Sequence, residues 1–85
     1  MDAGQPAGQR VTLYSKPGCH LCDQAREVIR AVCAELRVGW TEVDITEDPA
    51  LQARYWEQIP VTLVDGRQHD FWHVDARRLR SALRG

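Results

Sequence analysis

Apolar and polar residues along this chain switch between a two-residue period and a three-to-four-residue period, and each switch marks an element boundary. Val11-Thr12-Leu13-Tyr14-Ser15 alternates and is rich in strand formers; Lys16-Pro17-Gly18 stops it, because proline lacks an N–H donor and glycine relaxes the backbone. Beyond Cys19, the apolar residues Leu21, Ala25, Val28, Ile29, Val32 and Leu36 recur at three- and four-residue spacing. That spacing lays them along one face of a helix reaching about Arg37, with Gly39 as its expected stop. Thr41, Val43 and Ile45 then alternate with Trp40, Glu42 and Asp44, as in a strand with one face more deeply buried than the other.

Asp48-Pro49 supplies an N-cap and a first-turn proline for a short helix in which Leu51 and Tyr55 lie one turn apart, and which runs out before Ile59-Pro60. Val61-Thr62-Leu63-Val64 and residues 67–72 flank Asp65-Gly66, a pair suited to the positive φ values of a tight hairpin turn. Asp75 caps a last helix in which Val74 and Leu79 form a hydrophobic staple, Leu79, Ala82 and Leu83 face inward, and Gly85 stands just past the end. The helix between the first two strands predicts a parallel, right-handed crossover, whereas the tight turn makes the last two strands antiparallel. The result is an α/β fold of order βαβ-α-ββα, a four-stranded mixed sheet flanked by helices on both faces: the minimal thioredoxin-like arrangement.

Length and composition narrow the organisation. Eighty-five residues, 44% of them hydrophobic, suit one core and leave no room for a second domain. Residues 1–10, rich in Gly, Pro and Gln, read as a flexible leader, and residues 11–85 as the domain. A formal net charge of -1 argues against nucleic acid or an anionic membrane as partner. The leader lacks the apolar run of a signal peptide and no stretch approaches the length of a membrane span, so the expected compartment is the cytoplasm and the expected state a monomer.

The cysteines carry the candidate chemistry. Three is an odd number and two of them, Cys19 and Cys22, stand two residues apart, which makes a poor structural framework and a better redox or metal motif. Only a thiolate attacks a disulfide, and the unpaired N–H groups at a helix start stabilise an anion on Cys19. Cys22 follows one turn deeper, aligned with Ala25 and Ile29, close enough to close a small disulfide ring. Cys19 is thus the candidate nucleophile and Cys22 the resolving thiol.

Lys16, the only lysine among 11 basic residues, and a protonated His20 would favour the thiolate, whereas Asp23 opposes it. Lys16 and His20 are both candidate substrate- or thiol-binding residues, Lys16 as an anchor for a thiol ligand; their plain readings are a solvated turn residue for Lys16 and an exposed first-turn residue for His20. Cys33 flanks the apolar stripe and reads as a packing residue. The outer arginines Arg77, Arg78, Arg80 and Arg84 read as a solvated face, with docking to an acidic reductase as the alternative. Zinc lacks a second paired motif beyond Cys33, His20, His69 and His73, so no metal site is expected. An iron-sulfur cluster or metal carrier bridging two protomers, or a non-catalytic interaction module, are the competing classes.

Val11-Thr12-Leu13-Tyr14-Ser15-Lys16-Pro17-Gly18-Cys19-His20-Leu21-Cys22 resembles the opening of a glutaredoxin, Glu42-Val43-Asp44-Ile45 its second strand, and Ile59-Pro60-Val61 its cis-proline segment. The similarity is greatest to the short bacterial glutaredoxin-like proteins and covers nearly everything after residue 10. It implies a thiol-disulfide oxidoreductase that reduces protein or low-molecular-weight disulfides, with a redox-active Cys19–Cys22 pair, a cis Pro60 facing it, and an Ile59 backbone that pairs with an extended substrate. No cofactor is implied beyond an electron donor, either a small thiol such as glutathione or a reductase protein. One departure stands out. Where glutaredoxins place a Gly-Gly pair against glutathione, this chain has Phe71-Trp72-His73-Val74, whose side chains would crowd that approach. Asp75 stands where the family places an acidic group near the ligand's amino end, and equally suits an N-cap.

Overall fold

Strands and helices form in the predicted order, with one added turn of 3-10 helix. The computed structural model describes residues 9–84; residues 1–8 of the expected leader, and the Gly85 helix stop, lie outside the described residues. The elements are β1 (Gln9–Ser15), α1 (His20–Leu36), β2 (Gly39–Asp44), the 3-10 turn Ile45–Glu47, α2 (Pro49–Tyr55), β3 (Val61–Val64), β4 (Arg67–Phe71) and α3 (Ala76–Arg84). The sheet order is β2-β1-β3-β4. β1 pairs parallel with β2 and antiparallel with β3, and β3 pairs antiparallel with β4, so the crossover and the hairpin both have the expected sense. This is a thioredoxin-like α/β fold.

Period-two alternation gives the sheet two apolar faces. Val11, Leu13 and Val64 point to one side, where Ala25, Ile29, Val32 and Cys33 of α1 and Leu79 and Leu83 of α3 complete a core. Val61 and Leu63 point to the other, against Ile45, Tyr55 and Ile59, and Cys22 joins that second cluster from the first turn of α1. Burial of each large aliphatic side chain stabilises the fold by about 1.5–3 kcal/mol before entropy is subtracted. The two central strands are therefore the most apolar, and every residue of β3 is buried.

Local chemistry shifts several boundaries. α1 closes at Leu36 and not on glycine: Arg37 adopts the left-handed conformation at φ 57°, and its N–H and that of Val38 bond to the carbonyls of Ala34 and Cys33. Gly39 instead opens β2. Ile45 leaves the strand because the Asp44 carboxylate accepts the Thr46 N–H at 2.9 Å and the Thr46 hydroxyl at 2.6 Å, which curls the backbone into the 3-10 turn. β1 begins at Gln9, so Arg10 belongs to the sheet and not to the leader; its guanidinium holds Asp65 through two bonds of 2.7–2.8 Å and the Leu83 carbonyl at 2.8 Å. β4 stops at Phe71, since Trp72 turns to φ 66°. Asp65 and Gly66 hold the positive φ values, 53° and 82°, expected of the hairpin turn.

Candidate functional site

The cysteine pair lies where β1 leaves the sheet and turns into α1. Gly18 adopts φ 69° in that turn, a conformation favourable to glycine, although a Cβ there would meet nothing within 4 Å. Cys19 follows in extended conformation and caps the helix with its own sulfur: Sγ accepts the N–H of Cys22 at 3.1 Å, while its carbonyl accepts the N–H of Asp23 at 3.1 Å. The two cysteines are joined as a disulfide with Cα atoms 5.2 Å apart. They differ sharply in exposure. Cys22 is wholly buried, whereas Cys19 is half-buried between the exposed residues Gly18 and His20.

A charge network braces the turn. Arg26, one turn into α1, donates to Asp23 at 2.8 Å and forks onto both oxygens of Glu42 at 2.8 Å, and the buried Ser15 hydroxyl donates to Glu42 at 2.6 Å. The Arg26 guanidinium holds the Glu42 carboxyl below the usual carboxylate range, and Ser15 adds to the effect. The helix start is thereby tied to the ends of both parallel strands, and Arg26 offsets the negative charge that Asp23 brings toward Cys19. A groove of about 410 Å³ opens alongside, lined by Lys16, Pro17, Arg26, Glu42, Asp44 and Glu47.

The remaining residues singled out from the sequence divide between the surroundings of this pair and other parts of the fold. Lys16 Nζ lies 4.9 Å from the ring centroid of Trp56, a cation-π contact, and His20 is exposed. Ile59 and Pro60 are buried, joined by a cis peptide bond, and Ile59 belongs to the cluster of Cys22 and Tyr55 against which Cys19 and Tyr14 pack. In the same cluster the Tyr14 and Tyr55 rings meet at a tilt of 49° with centroids 5.1 Å apart. Asp75 is an N-cap, accepting the N–H groups of Arg77 at 2.8 Å and Arg78 at 3.1 Å, and these bonds, that of Arg78 foremost, hold its carboxyl below the usual range. Cys33 is buried in the α1–α3 core, away from the pair's cluster, where desolvation pushes its thiol up to about 11. Three of the four outer arginines are ion-paired, Arg78 with Asp70 and Arg80 and Arg84 with Glu35. Among the described residues no group of three or more His, Cys, Asp or Glu side chains is gathered to hold a metal ion.

Two contributions escaped the sequence reading. The Ser15–Glu42–Arg26 network joins residues up to 27 positions apart, a separation that no local pattern reports. Trp72 donates its backbone N–H to the Pro60 carbonyl at 2.7 Å and its indole N–H to the Glu57 carbonyl at 3.0 Å, so it ties down the loop that carries the cis-proline. Its signal was available as an aromatic residue where the strand alternation ends, but its tie to the proline loop was not.

Residues 10–84 match the family described as Glutaredoxin-like domain (DUF836). Uncharacterized proteins of Mycobacterium bovis and Mycobacterium tuberculosis are 34% identical over 79 residues, 87% of this chain and 81% of theirs. Among solved structures, the X-ray structure of the structural genomics target protein XcR50 from X. campestris is similar at 39% identity and a TM-score of 0.72, covering 87% of this chain and 95% of that one. Fasciola hepatica thioredoxin shares the fold alone, at 22% identity and a TM-score of 0.60 over 91% of this chain and 80% of its own. With the cysteine pair at the head of α1, the cis-proline loop beside it and a family match spanning the whole described domain, this chain belongs to the glutaredoxin-like family.

Proposed function

We propose that the protein is a dithiol thiol-disulfide oxidoreductase acting on protein or small-molecule disulfides. The observation that carries this reading is the asymmetry of the pair: Cys19 is partly exposed with its sulfur on a helix-start N–H, and Cys22 is buried one turn behind it. In the reduced protein the Cys19 thiolate attacks one sulfur of a substrate disulfide, forms a mixed disulfide and expels the other sulfur as a thiolate that takes up a proton. Cys22 then loses its proton and attacks Cys19 Sγ, closing the intramolecular disulfide and releasing the second substrate thiol. Two electrons pass from the dithiol to the substrate, and a small thiol such as glutathione or a reductase protein returns them. Ile59 beside cis-Pro60 offers backbone to an extended substrate, Lys16 supplies positive charge at the mouth, and His20 offers a polar ring there. The protein works in this reading as a cytoplasmic monomer without a bound cofactor; no helix among the described residues is long and apolar enough to cross a membrane.

Single cysteine variants test the order of events. Cys19→Ser loses disulfide reduction by at least about 100-fold, given that one of the two bond exchanges has no nucleophile. Cys22→Ser still captures a substrate as a stable mixed disulfide, visible by intact mass. Full activity in Cys19→Ser would falsify the assignment.

A further inference from the structure

Most large apolar side chains of this protein are in the two cores, yet Trp56, Phe71 and Trp72 are 53%, 47% and 49% exposed. All three border the cis-proline loop. Trp56 sits at the C-cap of α2, three residues before Ile59, with the Lys16 ammonium over its ring. Trp72 bonds to both Glu57 and Pro60, shares a cleft of about 110 Å³ with Leu21, one of the two residues between the cysteines, and meets Phe71 edge-to-face at 5.1 Å. Lys16 stands three residues before Cys19 and Leu21 two after it, so the contact of Trp56 with Lys16 and the cleft shared by Trp72 and Leu21 tie both tryptophans to the segment that carries the substrate-facing sulfur.

Holding them there has a cost. Trp72 keeps a left-handed φ of 66°, a conformation unfavourable by about 1–2 kcal/mol for a residue with a Cβ, and half its side chain stays in contact with water. Neither serves core packing. Aromatic residues that are exposed, held in place by hydrogen bonds and contiguous with a reactive group are the usual anchors of protein recognition.

From this placement we infer that the protein selects polypeptide disulfides whose cysteine is flanked by apolar side chains, which seat on the exposed rings of Trp56, Phe71 and Trp72. The inference rests on the oxidoreductase reading and names its substrate class. A small thiol such as glutathione fits the rim poorly, since it carries charge at both ends and no apolar side chain to place on the rings. An apolar-flanked cystine peptide carries its disulfide and its apolar contacts in one strand.

The test uses the pre-reduced full chain mixed with three oxidants: a cystine peptide with Leu and Phe beside the cysteine, the same peptide with Ser at those positions, and glutathione disulfide. Formation of the Cys19–Cys22 disulfide is followed by alkylation and mass. The expected result is at least a ten-fold faster reaction with the apolar peptide than with either other oxidant, and a ratio reduced to within about two-fold of unity in Trp56→Ser/Phe71→Ser. Equal rates for the two peptides on the unaltered protein overturn the inference, as does a preference that survives intact in the folded double variant. Reaction with none of the three overturns the redox reading itself, so the two failures are distinguishable.

Discussion

Cys33 shows how strongly position decides what a residue can do. It is 1% exposed, between the sheet and α3, and desolvation alone raises its thiol from 9.0 to about 11. A thiol that ionises later in the folded state than in the unfolded one contributes stability in full below about pH 9; the contribution is lost as pH climbs toward 11. Chemical denaturation between those values should show a falling midpoint that is shallower in Cys33→Ala, and iodoacetamide at neutral pH should leave Cys33 unmodified while it reacts with Cys19 of the reduced protein. Labelling of Cys33 at the same rate as Cys19 would contradict its burial. At this scale the sequence was informative wherever a residue acts on its near neighbours. Cys19 caps the helix that starts beside it and Asp75 the one that starts after it, and both are short-range bonds. Trp72 was opaque for the opposite reason, because its partners are 12 and 15 residues away.

Among the elements, hydrophobic periodicity together with turn and cap residues located every α-helix and strand, and the errors fell at the ends, where single hydrogen bonds compete with the pattern. Ile45 satisfies the strand alternation yet is turned out of it by Asp44, and Arg37 takes the left-handed cap that Gly39 was expected to supply. The backbone conformations of Arg37 and Gly66 make a paired prediction. Arg37→Gly should raise stability by up to about 1 kcal/mol, since glycine relieves the steric cost of positive φ but loses more chain entropy on folding. Gly66→Ala, at φ 82° in the hairpin turn, should lower it by about 1–2 kcal/mol. Urea midpoints of the two variants moving in the same direction would show that these caps do not work by backbone strain.

Across the whole molecule, the carboxylates Glu42 and Asp65 tie distinct parts together and Asp75 caps the last helix; each has a lowered pKa, from the Arg26 and Arg10 side-chain bonds and the Arg78 backbone N–H respectively. Such groups add stability that is present above the ordinary carboxylate range near 4 and is lost as pH falls through their lower folded values. Stability should therefore be level from neutral pH down to about 5 and fall below about 4. Glu42→Gln should flatten that fall; an unchanged acid profile in the variant would exclude the Arg26 fork as its source.

Arg10 grips both the hairpin turn at Asp65 and the last helix at Leu83, so the first strand's beginning and the last helix's end are clasped together. The cysteine pair follows the other end of that first strand. The start of β1 and the end of α3 therefore lie at the pole remote from the sulfurs. A tag, a reporter or a tethered partner joined directly at these two points would start from the side away from the mouth. The two ends could even be spliced and the chain reopened elsewhere, giving a permuted molecule with the same reactive tip.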